Sequence, residues 1–241
     1  MKEVAMSTIF STLLPFVIMN HACADRIASL IAKRKDCERY NHCKGATYPA
    51  LLVELGDAWM EKGMVEGFLV TDSVDSAIEA YDAGSLDSYN NGGPESDLHS
   101  KALLRLADSY LSKGEYKVAY DTLSFHASWI KAHTKNARGK TKLLRKKTLL
   151  RILAKQGEAA ALGSVNKKAT AALDQAVELQ QELMTVAGGL NSTQYAWLRM
   201  LSARALAPAD ETAALEHISR ALDFFINGTK QVHQLERNDP H

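Results

Sequence analysis

Proline is scarce in this chain, five in 241 residues, and runs of β-branched residues are few. That excludes a fold built from many short strands and tight turns. The net charge is only +1, so no global field draws the chain to nucleic acid or to an anionic membrane. No apolar run reaches the roughly 20 residues that a stable bilayer span requires. The eight histidines include no His-Glu-x-x-His pair, and no Gly-x-Ser-x-Gly nucleophile turn occurs. The RGKT of Arg138–Thr141 echoes the end of a phosphate-binding loop. Thr134, however, stands where that loop needs its leading glycine, and no strand precedes it. His126 and His217 read as packing or surface residues of helices. No nucleophile, cofactor loop or metal centre is legible, and the reading is a non-catalytic protein with no cofactor and no metal.

What is present is Ala, Leu, Lys, Glu and Gln in quantity, with 46% apolar and 24% charged residues. The class is therefore all-α, with enough apolar surface for a substantial core. At the amino terminus a largely apolar run, Ile9–Met19, is followed by Ala22-Cys23-Ala24. This is the small-x-small pattern of a secretory signal, and cleavage is expected after Ala24, although Glu3 offsets the charge of Lys2. A buried amino-terminal helix is the rival reading. An acylated Cys23 is a third, with Asn20 standing where the lipobox has Leu.

Loss of residues 1–24 leaves Cys37 and Cys43 as the thiols of the mature chain, and an even pair in an oxidising compartment reads as a disulfide. In a continuous helix, residues six apart lie about 9 Å apart along the axis, too far for that bond. The segment between them must bend, and Asn41 and Gly45 are suited to turning it. A zinc site using both cysteines and His42 lacks an evident fourth ligand. Two free thiols remain the other alternative.

Residues 101–123, KALLRLADSYLSKGEYKVAYDTL, hold the main pattern. Leu103, Leu106, Ala107 and Tyr110 share one helix face, Gly114 breaks the run, and Tyr116, Ala119 and Leu123 share a face of the next helix. Small residues at Ala107 and Ala119 suit two antiparallel helices at their closest approach. Leu52, Leu55, Gly56, Trp59 and Gly63 repeat the first half, and Ala77 and Tyr81 the second, after about nine extra residues. Leu198, Leu201, Ser202 and Ala205, then Ala214, Ile218 and Ala221, repeat both, with Pro208 in the turn. A fourth copy runs from Leu149, Leu150, Leu153 and Gly157 to Ala172, Ala176 and Leu179, interrupted by EAAALGSVNKK.

This spacing resembles the tetratricopeptide repeat (TPR), with Leu103 in the place of its usual Trp. The resemblance covers most of residues 48–226 and implies a right-handed α-solenoid of four TPR-like hairpins; an irregular helical bundle is the plainer rival. The expected organisation is a signal peptide over 1–24, a helix and cysteine turn over 25–47, the solenoid over 48–226 and a polar tail over 227–241. Ser85–Asp97, SLDSYNNGGPESD, reads as the break between the first two repeats.

Charge is segregated along the chain. Eleven acidic residues and one basic residue, Lys62, lie between Glu54 and Asp97; ten Lys or Arg and no acid lie between Thr122 and Gly157. The resemblance implies a concave, peptide-binding face lined by first helices. On this sequence that face takes in Asp57 and Glu61; Lys101, Arg105 and Asp108; and Lys147, Arg151 and Lys155. The last three, four residues apart, favour an anionic partner. Lys101 and Arg105 match half of the family's carboxylate clamp, while Val53 and Asp57 stand where its Lys and Asn would be.

The expected function is an exported adaptor or assembly factor binding a protein or peptide with acidic groups. The alternatives are an intracellular module whose basic segment binds nucleic acid or an acidic protein tail, and an enzyme on a helical scaffold. The sequons at Asn191 and Asn227 matter only in a eukaryotic secretory host. Intact-mass analysis of the native protein, alkylated only before denaturation, is expected to give a chain beginning at Asp25 with Cys37 and Cys43 unlabelled. An intact Met1 refutes the cleavage, and labelling of both cysteines refutes the bond.

Overall fold

The computed structural model describes residues 2–40, 43, 45–65, 71–187 and 192–223, with side chains from residue 21 onward except at 65, 71, 184–187 and 192–194. Expectations about the side chains of the leader run, about Asn41 and His42, about the sequons at Asn191 and Asn227, and about the tail lie outside the described residues. Those residues form helices and no strands. They are α1 (Lys2–Tyr40), α2 (Thr47–Val65), α3 (Thr71–Gly92), α4 (Asp97–Ser112), α5 (Tyr116–Thr134), α6 (Gly139–Leu162), α7 (Asn166–Ala187), α8 (Ser192–Leu206) and α9 (211–223). No described helix is long and apolar enough to cross a membrane.

The chain divides into two compact units, Met1–Glu115 and Tyr116–His241. In the first, α2 packs on α1, α3 and α4, and α3 also packs on α4. Ile27 and Leu30 of α1 close on Leu55 and Ala58 of α2 and Ala80 of α3. A second cluster joins Val53, Ala77 and Tyr81 to Ala102 and Leu106 of α4. In the second unit, α6 packs on α5, α7 and α8, and α7 also packs on α8. Each unit thus has a first helix touching both its own partner and the first helix of the following pair.

The closest helix approaches fall where side chains are smallest. A Cβ added at Gly56 would lie 2.5 Å from the Tyr81 ring, and one at Gly157 would lie 2.3 Å from Leu173 Cγ. Neither contact tolerates a methyl group without displacing a buried side chain, since Tyr81 is 1% exposed and Leu173 fully buried. Gly157 stands in the fourth copy where Gly114 breaks the second, but it does not end its helix: it lies inside α6 and meets Leu173. The EAAALGSVNKK stretch is no insertion: α6 runs on to Leu162, Gly163–Val165 make the turn, and α7 starts at Asn166. This short turn, with Ser164 at φ 58, brings Leu173 up to Gly157.

Other boundaries follow local chemistry. α1 ends at Tyr40 and the chain bends there, leaving Cys37 and Cys43 joined with Cα atoms 5.1 Å apart. The break expected over Ser85–Asp97 is confined to residues 93–96, because α3 continues through the buried Ser85 and Ser88 to Gly92. Gly93, at φ 73, then reverses the chain ahead of Pro94. α4 ends at Ser112, and Gly114, φ 76, turns the chain, its N–H bonding back to Leu111 O at 3.0 Å. Asp210 caps α9, accepting the Ala213 N–H at 2.9 Å.

The approach at Gly56 yields a paired prediction. Gly56→Ala is expected to lose about 1–3 kcal/mol through overpacking against Tyr81. Gly63→Ala, on the same helix but with its nearest neighbours at an ordinary 3.5 Å, is expected to be neutral or to gain up to about 1 kcal/mol. Urea unfolding of the two variants checks this, and equal shifts in one direction refute the close-approach account.

Candidate anion-binding surfaces

In the first unit, α2, α3 and α4 bring one carboxylate and two cations together. Gly56 lets the Tyr81 ring lie against α2, and the adjoining Asp57 then receives the Tyr81 hydroxyl, which donates to Oδ1 at 2.7 Å. From α4, Arg105 Nε lies 3.2 Å from the same oxygen and Lys101 Nζ 3.8 Å from Oδ2. Asp108 lies 4.0 Å from Arg105 Nη1. Burial first, and the Asp57 hydrogen bond second, push the Tyr81 hydroxyl well above the ordinary tyrosine range. The two cations expected to clamp a partner's carboxylate therefore face one belonging to this chain.

At the amino-terminal end, the Cys37–Cys43 bond ties α1 to the segment ahead of α2, and a small polar network ties it to α2 itself. Glu38 accepts from Arg34 Nε and from the Tyr48 hydroxyl, each at 2.7 Å. Those bonds, Tyr48's the larger, hold the Glu38 carboxyl below its usual range. Among the described residues no group of three His, Cys, Asp or Glu is placed to hold a metal ion.

In the second unit the expected triad is split. Lys147 and Arg151 are exposed on α6. Lys155 is half-buried and turned to Glu158 of the same helix, its Nζ 2.6 Å from Oε2. The neighbouring cations are engaged within the fold. Lys146 bonds Glu182 of α7, while Arg145 donates to His133 O at 2.8 Å and lies over the Trp129 ring.

The opposite side of α6, about 180° around the helix from Lys147 and Arg151, carries Leu149, Leu153 and Gln156. These form the floor of a groove of about 410 Å³ between α5 and α7. Its lining includes Lys131, Lys167 and Lys168 and no carboxylate. Lys131 Nζ donates to Gln175 Oε1 at 2.8 Å, and Lys168 Nζ lies 4.9 Å from the Tyr120 ring centre. Gln156 crosses the floor to Ser124 Oγ at 2.9 Å. Sequence reading passed over these residues because Lys167 and Lys168 fell in a stretch taken for an interruption, and α5 carries only one of the three lysines.

No protein-family model, curated protein or solved structure matches this chain.

Tyr81 yields a pH prediction. A proton held more tightly in the folded state stabilises fully below the unfolded pKa, about 10, and that stability is lost as pH rises past it. Tyr81→Phe removes both the proton and the bond to Asp57. It is expected to lose about 1.5–3 kcal/mol near pH 8, and its deficit relative to the parent should shrink above pH 10. Other tyrosines titrate in both proteins and cancel in the difference. A deficit constant with pH in urea unfolding refutes the assignment.

Proposed function

We propose that the chain is a TPR-like interaction module of four stacked helical hairpins, non-catalytic, which holds an anionic segment of a partner protein on its first-helix face. The observation that carries this is a recurrent spacing of buried residues. A small residue is followed twelve residues later by Ala and sixteen later by a larger side chain: Ala107, Ala119 and Leu123; Gly157, Ala169 and Leu173; Ser202, Ala214 and Ile218. Gly56, Ala77 and Tyr81 repeat it with nine residues added in the connection. All but Ile218 are buried. A periodic unit that cannot bury its own apolar face and must stack on its neighbours is the physical basis of such repeats, and their business is ordinarily the binding of extended segments.

Among the cations expected on that face, Lys147 and Arg151 are the best placed, since Lys101 and Arg105 are held by Asp57 and Lys155 by Glu158. Export fits the Cys37–Cys43 bond. Of the buried α1 residues, Ile27 and Leu30 lie beyond the expected cut at Ala24 and Cys23 before it.

The test is charge reversal. Arg151→Glu places a repulsion where a partner's carboxylate would sit, and loss of a charge pair in a buried interface is worth about 2 kcal/mol or more, roughly 30-fold in affinity. Capture from the native compartment should lose its main partner with Arg151→Glu and keep it with Lys135→Glu, another exposed cation, while both variants melt like the parent. Retention by both, or equal loss by both, overturns this face as the binding site.

A further inference from the structure

We infer that the groove between α5 and α7 is a second docking site, separate from the Lys147–Arg151 side of α6, and that it takes an extended acidic segment with an apolar side chain between two carboxylates. The composition of the groove commits it to that occupant. Its floor is apolar over Leu149, Leu153 and Ala172, while its lining holds three ammonium groups and no carboxylate. The nearby acid Glu182 of α7 is already bonded to Lys146, and Asp174 acts on His217, which lies by Arg199 of α8.

A second feature points the same way. Lys167 and Lys168 stand in the first turn of α7, which carries no acidic residue. Cations there oppose the positive end of the helix dipole, where a carboxylate is the favoured neighbour. A negatively charged group bound between them relieves that repulsion. The bare turn therefore has an electrostatic deficit of the sign an acidic ligand supplies.

The geometry sets the spacing. Lys168 marks one end of the groove and Lys131, held on Gln175, the other. Seven residues of α7 separate 168 from 175, or about 10 Å at 1.5 Å per residue. A segment in polyproline-II geometry, advancing about 3.1 Å per residue with three residues per turn, covers that distance in three residues and brings i and i+3 onto one side. Carboxylates at positions i and i+3 would then reach the two ends, and an apolar side chain between them would lie over Leu149 and Leu153.

The probe is a fluorescent peptide, Glu-Leu-Leu-Glu between glycine flanks, titrated with the full chain by anisotropy at low salt. Saturable binding is expected, at least tenfold weaker for Gln-Leu-Leu-Gln and for Glu-Gly-Gly-Glu. Lys168→Glu should weaken it at least tenfold and Lys167→Glu severalfold, with Lys135→Glu within twofold. Lys167 is exposed and makes no cation–ring contact like that of Lys168 with Tyr120 among those described, so its variant keeps the test valid if Lys168→Glu unfolds. No saturable binding, indifference to Lys167→Glu and Lys168→Glu, or equal loss with Lys135→Glu overturns the proposal. So does equally tight, competing binding of a short single-stranded oligonucleotide, which would make the surface a diffuse cationic one. The probe and the groove variants differ from those testing the Arg151 face, with only the control Lys135→Glu in common, so either site can fail alone.

Discussion

Two helix backbones can come into close contact only where a side chain is missing, and the packing of both units rests on that constraint. At Gly56 the vacancy is filled by the ring of Tyr81, at Gly157 by the side chain of Leu173. Interiors packed at crystal-like density leave no slack at such points. The glycine therefore sets the separation of its helix pair and, through it, the placing of every residue one turn away.

The polar arrangement of the first unit follows from that contact. With its ring pressed on α2, Tyr81 delivers its hydroxyl to Asp57, which leaves the carboxylate oriented towards α4 and the cations Lys101 and Arg105. A buried hydroxyl needs an acceptor, and a carboxylate supplies the strongest neutral-pH one. The acidic stretch before Asp97 is in part a set of partners for cations elsewhere in its own unit: Asp57 for Lys101 and Arg105, Asp75 for Lys113, Glu54 and Glu61 for Arg26. Segregation along the sequence is thus partly undone by folding.

The basic stretch of the second unit is balanced less completely. Lys146 reaches Glu182 and Lys155 reaches Glu158, but Lys147 and Arg151 point away from α7 and are exposed. Lys131, Lys167 and Lys168 gather instead around an apolar floor on the other side of α6. One helix therefore separates two cationic surfaces of different character, one an exposed ridge and the other a groove.

Helical class, the turn at Gly114, the bend between Cys37 and Cys43 and the small residue at Gly56 were all legible in the sequence. Each is a local property: propensity, a left-handed backbone position, or a spacing along one helix face. Folding decided what local pattern cannot encode. Sequence periodicity placed Lys101, Arg105, Lys147, Arg151 and Lys155 on a common kind of face but said nothing of which would meet a carboxylate, because Asp57 lies 44 and 48 residues before the cations it holds. Nor could it show that Gly157 lies inside α6 against Leu173, since a glycine reads locally as a helix end and only the packing of α7 on α6 fills its place. The groove is the most tertiary feature of all: its three lysines come from two helices that a third must first bring side by side.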